Sequence, residues 1–180
     1  VSQWESKGDE RLRELGKALE RLGLTWKVSA RAIDDTQVEL RVGRLPHSQR
    51  GGARDLVNIA DVGFGVSQAL PVVIALLAAR PKQLVYVEQP EIHLHPCGQV
   101  ALAKLLAESA QRGVRIIAET HSSLLLLAIQ TLVANGDIPP DLVKLHWFER
   151  DETGHTKVSS ADLDESGAFV FGKRQYLAGT

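Results

Sequence analysis

The stretch from Gln83 to Pro96 constrains the fold of this chain more than any other feature. Its apolar run Leu84–Val87 contains β-branched and aromatic residues, which is typical of a buried strand. Glu88 and Gln89 follow at once, and Pro90 lacks the amide hydrogen that a strand ladder requires. The run therefore predicts a strand that delivers polar groups at its carboxyl end, where open α/β sheets bind ligands. A carboxylate there suits a hydrated metal beside a phosphate, and a merely solvated strand end is the alternative.

The composition is that of one ordinary globular domain of 180 residues, with 44% hydrophobic and 24% charged residues. The formal net charge of −1 at pH 7 gives no electrostatic support for a DNA partner, which would need a local basic patch. Cys97 is the only cysteine, which excludes an internal disulfide and favours a reducing cytoplasm. No apolar run approaches the ~20 residues of a membrane span, so no membrane association is expected.

Hydrophobic periodicity divides the chain into residues 1–55 and residues 56–180. In the first part, four leucines between Leu12 and Leu22 recur at helical spacing, which predicts an amphipathic helix. From Trp26 to Val42 the period changes to two, which predicts an antiparallel hairpin. A stretch rich in glycine and arginine, Pro46–Arg54, predicts an exposed loop.

In the second part, strands alternate with helices, which is typical of βαβ units in a parallel sheet covered on both faces. Ser67 is the expected N-cap of a nearly all-apolar helix that has Pro71 near its first turn. Ser122 is the expected cap of a later helix. The other predicted elements are a short strand at 56–60, a helix at 96–110, a strand at 114–118, and a terminal hairpin formed by 143–149 and 155–159.

Three motifs, taken in this order, resemble the second half of an ATP-binding cassette ATPase. They are a glycine turn at Asp61–Gln68, the strand end at Glu88–Pro96, and a second strand that ends in a histidine at Ile116–Ser123. The second motif is similar to that of soluble, non-transporter members related to structural-maintenance-of-chromosomes proteins and overcoming-lysogenization-defect nucleases. The resemblance covers residues 56–171. It implies the C-terminal half of an α/β P-loop NTPase, a mostly parallel sheet flanked by helices, with residues 1–55 as an antiparallel β flank.

The sequence contains no phosphate-binding loop of the form Gly-x-x-x-x-Gly-Lys followed by Ser or Thr. The nearest match, Gly167–Arg174, places Arg174 where a hydroxyl must bind magnesium, and it leaves too little chain for the helix that should follow. We reject this match. The resemblance then implies that the phosphate-binding half precedes Val1, and that residues 1–180 alone bind ATP poorly and are inactive.

The resemblance assigns roles to the residues at the two strand ends. Glu88 takes the position of the carboxylate that supports Mg²⁺ through water, where most relatives have aspartate. Gln89 takes the position of the water-activating glutamate, although a carboxamide cannot accept a proton from water. Glu91 is the nearest alternative base, and a solvated loop residue is the other interpretation of it. His121 takes the position of the switch histidine that contacts the γ-phosphate.

The glycine turn resembles the signature loop that cassette ATPases place across a dimer interface onto the partner's γ-phosphate. Gly63, Gly65, Ser67 and Gln68 would bind nucleotide there, because glycines admit an anion close to the backbone and a helix start has a positive dipole end. The family has serine where this chain has Gly63, so Ser67 would have to replace that hydroxyl. A glycine turn that only precedes a buried helix is the alternative.

His93, His95 and Cys97 form a His-x-His-x-Cys string, for which zinc binding is an alternative. Spacing by two in a loop flanked by prolines rarely brings three ligands onto one tetrahedral ion. We expect the two histidines to shape the loop after the central strand instead.

The resemblance therefore implies ATP binding with Mg²⁺ in a head-to-tail homodimer, and Gln89 in place of glutamate implies slow hydrolysis. The main alternative is a non-hydrolytic, nucleotide-gated module that regulates an effector protein in genome maintenance or phage defence. A metal-binding module is a further alternative.

Overall fold

A computed structural model of the chain describes residues 10–45, 55–171 and 175–176. The chain divides into two compact units, residues 1–125 and residues 126–180. This division reflects the compactness of the two units. The predicted division at residue 55 instead separates a flank from the part that carries the motifs, and that division stays a prediction. The loop expected at Pro46–Arg54 lies outside the described residues.

Helices and strands alternate through the middle of the chain, as predicted. The first unit contains α1 (Glu10–Arg21), β1 (Val28–Ala32), β2 (Val38–Gly43), β3 (Leu56–Asn58), α2 (Phe64–Ala78), β4 (Leu84–Glu88), α3 (Pro96–Gln111) and β5 (Arg115–Glu119). Helix α4 (Ser123–Ala134) crosses the boundary between the units. The second unit contains β6 (Lys144–Arg150), β7 (Thr156–Leu163), β8 (Phe169–Phe171) and β9 (Gln175–Tyr176).

The amino-terminal helix and hairpin are confirmed. Helix α1 buries Leu15 and Leu19, two leucines of the predicted stripe. Strands β1, β2 and β3 form one antiparallel sheet in that order. The carboxylate of Asp34 accepts hydrogen bonds of 2.8 Å from the amides of Thr36 and Gln37. This Asx-type turn fixes the connection between β1 and β2.

Strands β4 and β5 pair in parallel, and α3 connects them. This is the βαβ unit that the alternating pattern predicts. The mostly parallel sheet is confirmed only for this pair, because the other pairings among the described strands are antiparallel. Helix α3 also buries the predicted face, including Leu102, Leu105 and Ser109.

One face of the β4–β5 pair is covered and the other is exposed. Val85 is 9% exposed, whereas Leu84 and Tyr86 are each 58% exposed and Ile117 is 53% exposed. Successive side chains of a strand point to opposite faces. Apolar residues at successive positions therefore place apolar side chains on both faces, but they do not by themselves ensure that both faces are covered. The expectation that these strands are covered on both faces is therefore wrong for the described residues.

Helix α2 begins one turn earlier than predicted. Gly63 is its N-cap, and the Ser67 hydroxyl donates a hydrogen bond of 3.0 Å to the Phe64 carbonyl within the helix. The prediction of Ser67 as the cap is wrong, because Phe64, Gly65 and Val66 already continue the helix. Pro71 consequently lies inside α2, where it removes one hydrogen bond of the helix. Among the described helices, none is long and apolar enough to cross a membrane.

The second unit contains an antiparallel sheet in the order β6, β7, β8, with β9 also paired to β7. The predicted terminal hairpin is confirmed, and at its turn the Asp151 carboxylate accepts hydrogen bonds from the amides of Thr153 and His155. Strand β7 continues to Leu163, beyond the predicted end at Ser159, and it pairs with β8, which was not predicted.

Gly167, which opens the rejected phosphate-loop match, has a structural role. It lies between β7 and β8 with φ at +74°, in the left-handed region that favours glycine. Its carbonyl accepts a hydrogen bond of 2.8 Å from Gln130 Nε2, and an added Cβ would collide with the Gln130 carbonyl oxygen. The end of the match, residues 172–174, lies outside the described residues.

We expect Gly167→Ala to destabilise the protein more than Gly136→Ala. Both glycines have φ at +74°, but a Cβ at Gly136 meets no atom within 4 Å. The left-handed backbone alone costs a non-glycine residue about 1–2 kcal/mol, and only Gly167→Ala adds the collision with Gln130. The measurement is the denaturant midpoint of each variant. Equal midpoints would show that the Gln130 contact carries no energy.

Candidate functional site

The carboxyl ends of β4 and β5 open onto a cleft of about 360 Å³ in the first unit. Its lining includes Gln68 of α2, Glu88 and Gln89 at the end of β4, and Glu119 at the end of β5. Glu88 and Glu119 are partners in the parallel register, so their side chains leave the sheet on the same side. Three of the predicted site residues therefore meet here, together with a carboxylate that was not predicted.

Glu88 presents its carboxylate at the exposed end of β4. One oxygen, Oε1, accepts a hydrogen bond of 2.7 Å from the Tyr86 hydroxyl. That hydrogen bond raises the pKa of Tyr86 because the neutral phenol is the donor, and desolvation and then the negative charges of Glu88 and Glu119 raise it further. Glu88 can therefore still bind a further group, as a single hydrogen bond leaves most of its acceptor capacity unused.

Gln89 has an unusual backbone conformation at the point where β4 ends. Its φ is +43°, a value that is uncommon for a residue other than glycine. Its amide donates a hydrogen bond of 2.8 Å to the Glu119 carbonyl, which extends the parallel ladder by one residue. Its carbonyl then accepts from the Ile92 amide, so the chain turns at once. Such conformations persist where the surrounding contacts enforce them, often at functional sites.

Glu91 is a buried residue and not a solvated one. It is 7% exposed, and it is not among the residues that line the cleft. Its Oε1 accepts a hydrogen bond of 2.5 Å from the Thr120 hydroxyl, and its Oε2 is buried without a hydrogen-bond partner. The interpretation of Glu91 as a solvated loop residue is wrong, because Thr120 of the neighbouring strand end draws it inward. A base role for Glu91 has no support in this geometry.

A chain of hydrogen bonds joins the loop after β4 to the start of α4. Thr120 Oγ1 also accepts a hydrogen bond from the Ser122 amide. The Ser122 hydroxyl donates a hydrogen bond of 2.6 Å to Gln99 Oε1. The Leu125 amide donates to Ser122 Oγ at 3.1 Å, so the prediction of Ser122 as a helix cap is confirmed. These contacts hold the two strand ends against each other.

His121 follows this anchored segment and is open to solvent. Its side chain is 80% exposed, and its Nε2 lies 3.3 Å from Glu119 Oε1. His121 is not among the residues that line the cleft, but Glu119 connects it to the cleft. A histidine held at the end of β5 suits contact with an anion that approaches from solvent.

The glycine turn lies apart from the cleft, except for Gln68. Gly63 is exposed, and a Cβ there would meet no atom within 4 Å. Gly65 is packed, because a Cβ there would meet Leu24 at 3.1 Å and the His93 carbonyl oxygen at 3.2 Å. The open amino terminus of α2 at Gly63 therefore remains available to a group from outside the chain.

The zinc alternative finds no support in the described ranges, where no three His, Cys, Asp or Glu side chains are placed to hold one metal ion. His95 instead caps α3, because its Nδ1 accepts a hydrogen bond of 3.4 Å from the Cys97 amide. His93 has φ at +66° and its ring lies 5.8 Å from that of Phe64. The two histidines thus shape the loop, as predicted.

The cleft has the chemistry that Mg²⁺ requires. Protein Mg²⁺ sites commonly use one or two carboxylates and keep several waters and phosphate oxygens as the other ligands. Glu88 offers such a carboxylate beside the carboxamides of Gln68 and Gln89. These residues fit a hydrated Mg²⁺ ion and would not fit a metal that prefers sulfur.

A family model described as "AAA domain, putative AbiEii toxin, Type IV TA system" matches residues 6–128. The chain belongs to this AAA domain family. The match includes every residue that lines the cleft. Among curated proteins, no sequence matches this chain.

Two solved structures share the fold of this AAA domain. One is described as "Structural biochemistry of ATP-driven dimerization and DNA stimulated activation of SMC ATPases" and aligns with a TM-score of 0.55 and 19% identity over 88% of each chain. The other is described as "Crystal structure of the SmcHead bound to the C-winged helix domain of ScpA", with a TM-score of 0.59 and 16% identity over 88% of this chain and 43% of that chain. At these identities, the likeness shows a shared fold, that of SMC ATPase heads.

We expect Glu88→Gln to lower the pKa of Tyr86 toward the ordinary value of a tyrosine. The neutral carboxamide is a weaker acceptor than the carboxylate, so it stabilises the neutral phenol less. The measurement is the ultraviolet absorbance of tyrosinate as a function of pH. The sequence contains only two tyrosines, so Tyr86→Phe assigns the transition. An unchanged pKa would contradict the Tyr86–Glu88 hydrogen bond.

Proposed function

We propose that this AAA domain, as part of the full-length protein, takes part in binding ATP with Mg²⁺ and in slow ATP hydrolysis. The observation that carries the proposal is the cleft at the carboxyl ends of a parallel strand pair, lined by Glu88, Gln89 and Gln68. Ligand binding at this end of parallel strands is the rule for open α/β sheets. The family and the fold support a P-loop ATPase. We further propose that the chain is the C-terminal half of the cassette-type core.

In this proposal three residues at the two strand ends have separate tasks. Glu88 holds Mg²⁺ through water, and the bound ion would neutralise charge that develops on the phosphates. Gln89 orients the attacking water through its carboxamide. His121 donates a hydrogen bond to the γ-phosphate from the end of β5.

We propose that the open turn at Gly63 serves a second subunit. Gly63, Gly65 and Ser67 would approach the nucleotide of a partner chain in a head-to-tail homodimer, whereas Gln68 of the same turn lines the cleft of its own chain. The exposed Gly63 N-cap and the α2 helix behind it support this role, because the first amides of a helix and its dipole favour an anion. One similar structure is described in terms of ATP-driven dimerization. The other is bound to a domain of ScpA, which is a precedent for an effector partner.

Other partners and the compartment are also part of the proposal. One similar structure is described in terms of DNA-stimulated activation, so DNA remains a candidate ligand of the full-length protein despite the net charge of −1. Cys97 is an exposed free thiol, which suits a reducing cytoplasm.

A nucleotide-gated module without hydrolysis is the second candidate function. The observation that favours it is the absence of a carboxylate at position 89, combined with the burial of Glu91. Such a protein would bind ATP, dimerise and signal to an effector without turnover. Measurements of ATP binding and turnover in the full-length protein separate the two functions.

We expect Gly63→Arg to prevent ATP-dependent dimerisation without lowering stability. Position 63 is open and has φ at −62°, so a side chain is tolerated there, but a long cationic one would obstruct the approach of a partner. Gly63→Ser is the matched control, because a serine N-cap preserves the helix and adds only a hydroxyl. The measurement is light scattering with and without ATP. A dimer that persists in Gly63→Arg would contradict the assigned interface.

We expect Gln89→Glu to raise ATP turnover and Glu91→Gln to leave it within a few-fold of the unmodified protein. A carboxylate at position 89 would line the cleft as a proton acceptor, which the carboxamide of Gln89 cannot be. Glu91, by contrast, is buried against Thr120. The measurement is steady-state phosphate release by the full-length protein.

Two further results test the assignment itself. Glu88→Gln should reduce Mg²⁺-dependent turnover, since the metal-supporting charge is removed. A full-length protein that binds no ATP would refute the proposed function, and loss of turnover in Glu91→Gln with normal stability would return the base role to that residue.

A further inference from the structure

The cleft needs a proton acceptor that the expected position does not supply. Gln89 carries a carboxamide, which has no basic oxygen for a proton taken from water. Glu91 is 7% exposed, bonded to Thr120, and absent from the lining of the cleft. Glu88 accepts a hydrogen bond from Tyr86 and is the carboxylate suited to Mg²⁺. One further carboxylate lines the cleft, and no role has yet been assigned to it.

That carboxylate is Glu119 at the end of β5. Its side chain is 43% exposed and lines the cleft beside Gln89. The backbone joins the two residues directly, because the Gln89 amide donates a hydrogen bond of 2.8 Å to the Glu119 carbonyl. The parallel register also sets Glu119 opposite Glu88, so both side chains leave the same side of the sheet. Glu119 therefore lines the same cleft as Gln89 from the neighbouring strand.

We propose that Glu119 is the general base of this site and takes the place of the carboxylate that position 89 lacks. The inference rests on the proposed ATP hydrolysis. Glu119 accepts a proton from water as the water oxygen forms a bond to the γ-phosphorus. The bond from that phosphorus to the bridging oxygen breaks, and its electron pair leaves with ADP. Phosphate departs, and Glu119 returns its proton to solvent.

The His121 ring lies beside Glu119 at the end of β5. Its Nε2 is 3.3 Å from Glu119 Oε1, within ion-pair distance of that one carboxylate oxygen. Thr120 is fixed between them by Glu91 and by the Ser122 amide, so the backbone that carries both side chains is anchored. A base supplied from the neighbouring strand fits slow turnover, because it lies one strand away from the usual position.

The test moves the carboxylate between the two strand ends of the full-length protein. We expect Glu119→Gln to reduce steady-state turnover by about 10²–10⁴-fold, with ATP binding and the unfolding midpoint unchanged. The double variant Glu119→Gln with Gln89→Glu has the same net charge as the unmodified protein and should recover turnover. Glu14→Gln is the matched control, because Glu14 is an exposed carboxylate on α1 and does not line the cleft.

Each other outcome decides against the inference. Turnover of Glu119→Gln within a few-fold of the unmodified protein would overturn it and leave the proposed ATPase intact. Loss of ATP binding in Glu119→Gln would show a binding role and would also overturn it, as would a double variant that binds ATP but does not recover. An unmodified protein that binds ATP without hydrolysing it would exclude a general-base role for Glu119. If the unmodified protein binds no ATP, the proposed function itself fails.

Discussion

The parallel pairing of β4 with β5 is the constraint on which the candidate site depends. The two strands are joined in register from Leu84 and Arg115 to Glu88 and Glu119, and the Gln89 amide adds one more hydrogen bond to the Glu119 carbonyl. Because the chain must cross over through α3 between parallel strands, both carboxyl ends lie at the same edge. That edge is where polar residues 31 positions apart in the sequence become neighbours.

The loop after β4 determines which side chains of this edge are available for chemistry. The positive φ of Gln89 turns the chain immediately, and the Thr120 hydroxyl then draws the Glu91 carboxylate into the interior. Burying a carboxylate with one unpaired oxygen costs free energy. The packing of the loop must offset this cost. Glu91 therefore anchors the loop after β4, whereas Glu88 remains open to the cleft.

Local patterns predicted most elements, and contacts between distant residues account for the errors. Periodicity and turn residues were sufficient for α1, the β1–β2 hairpin and α3, because these depend on neighbours in sequence. Glu119 was missed because only the strand register places it beside Glu88. The burial of Glu91 depends on Thr120, 29 residues away. Ser67 was misplaced as a cap because serine also bonds back within a helix, as it does here to the Phe64 carbonyl.

The charges of the two strand-end carboxylates do not stabilise the sheet that carries them. Like charges directly opposite each other on paired strands are destabilising, and Glu88 and Glu119 are such a pair. The Tyr86 hydroxyl and the His121 ring each contact one of the two carboxylates, which relieves part of the repulsion. Both contacts are exposed and therefore weak. A cation brought into the cleft would offset the remaining repulsion, so two carboxylates at one sheet edge are compatible with the proposed Mg²⁺ site.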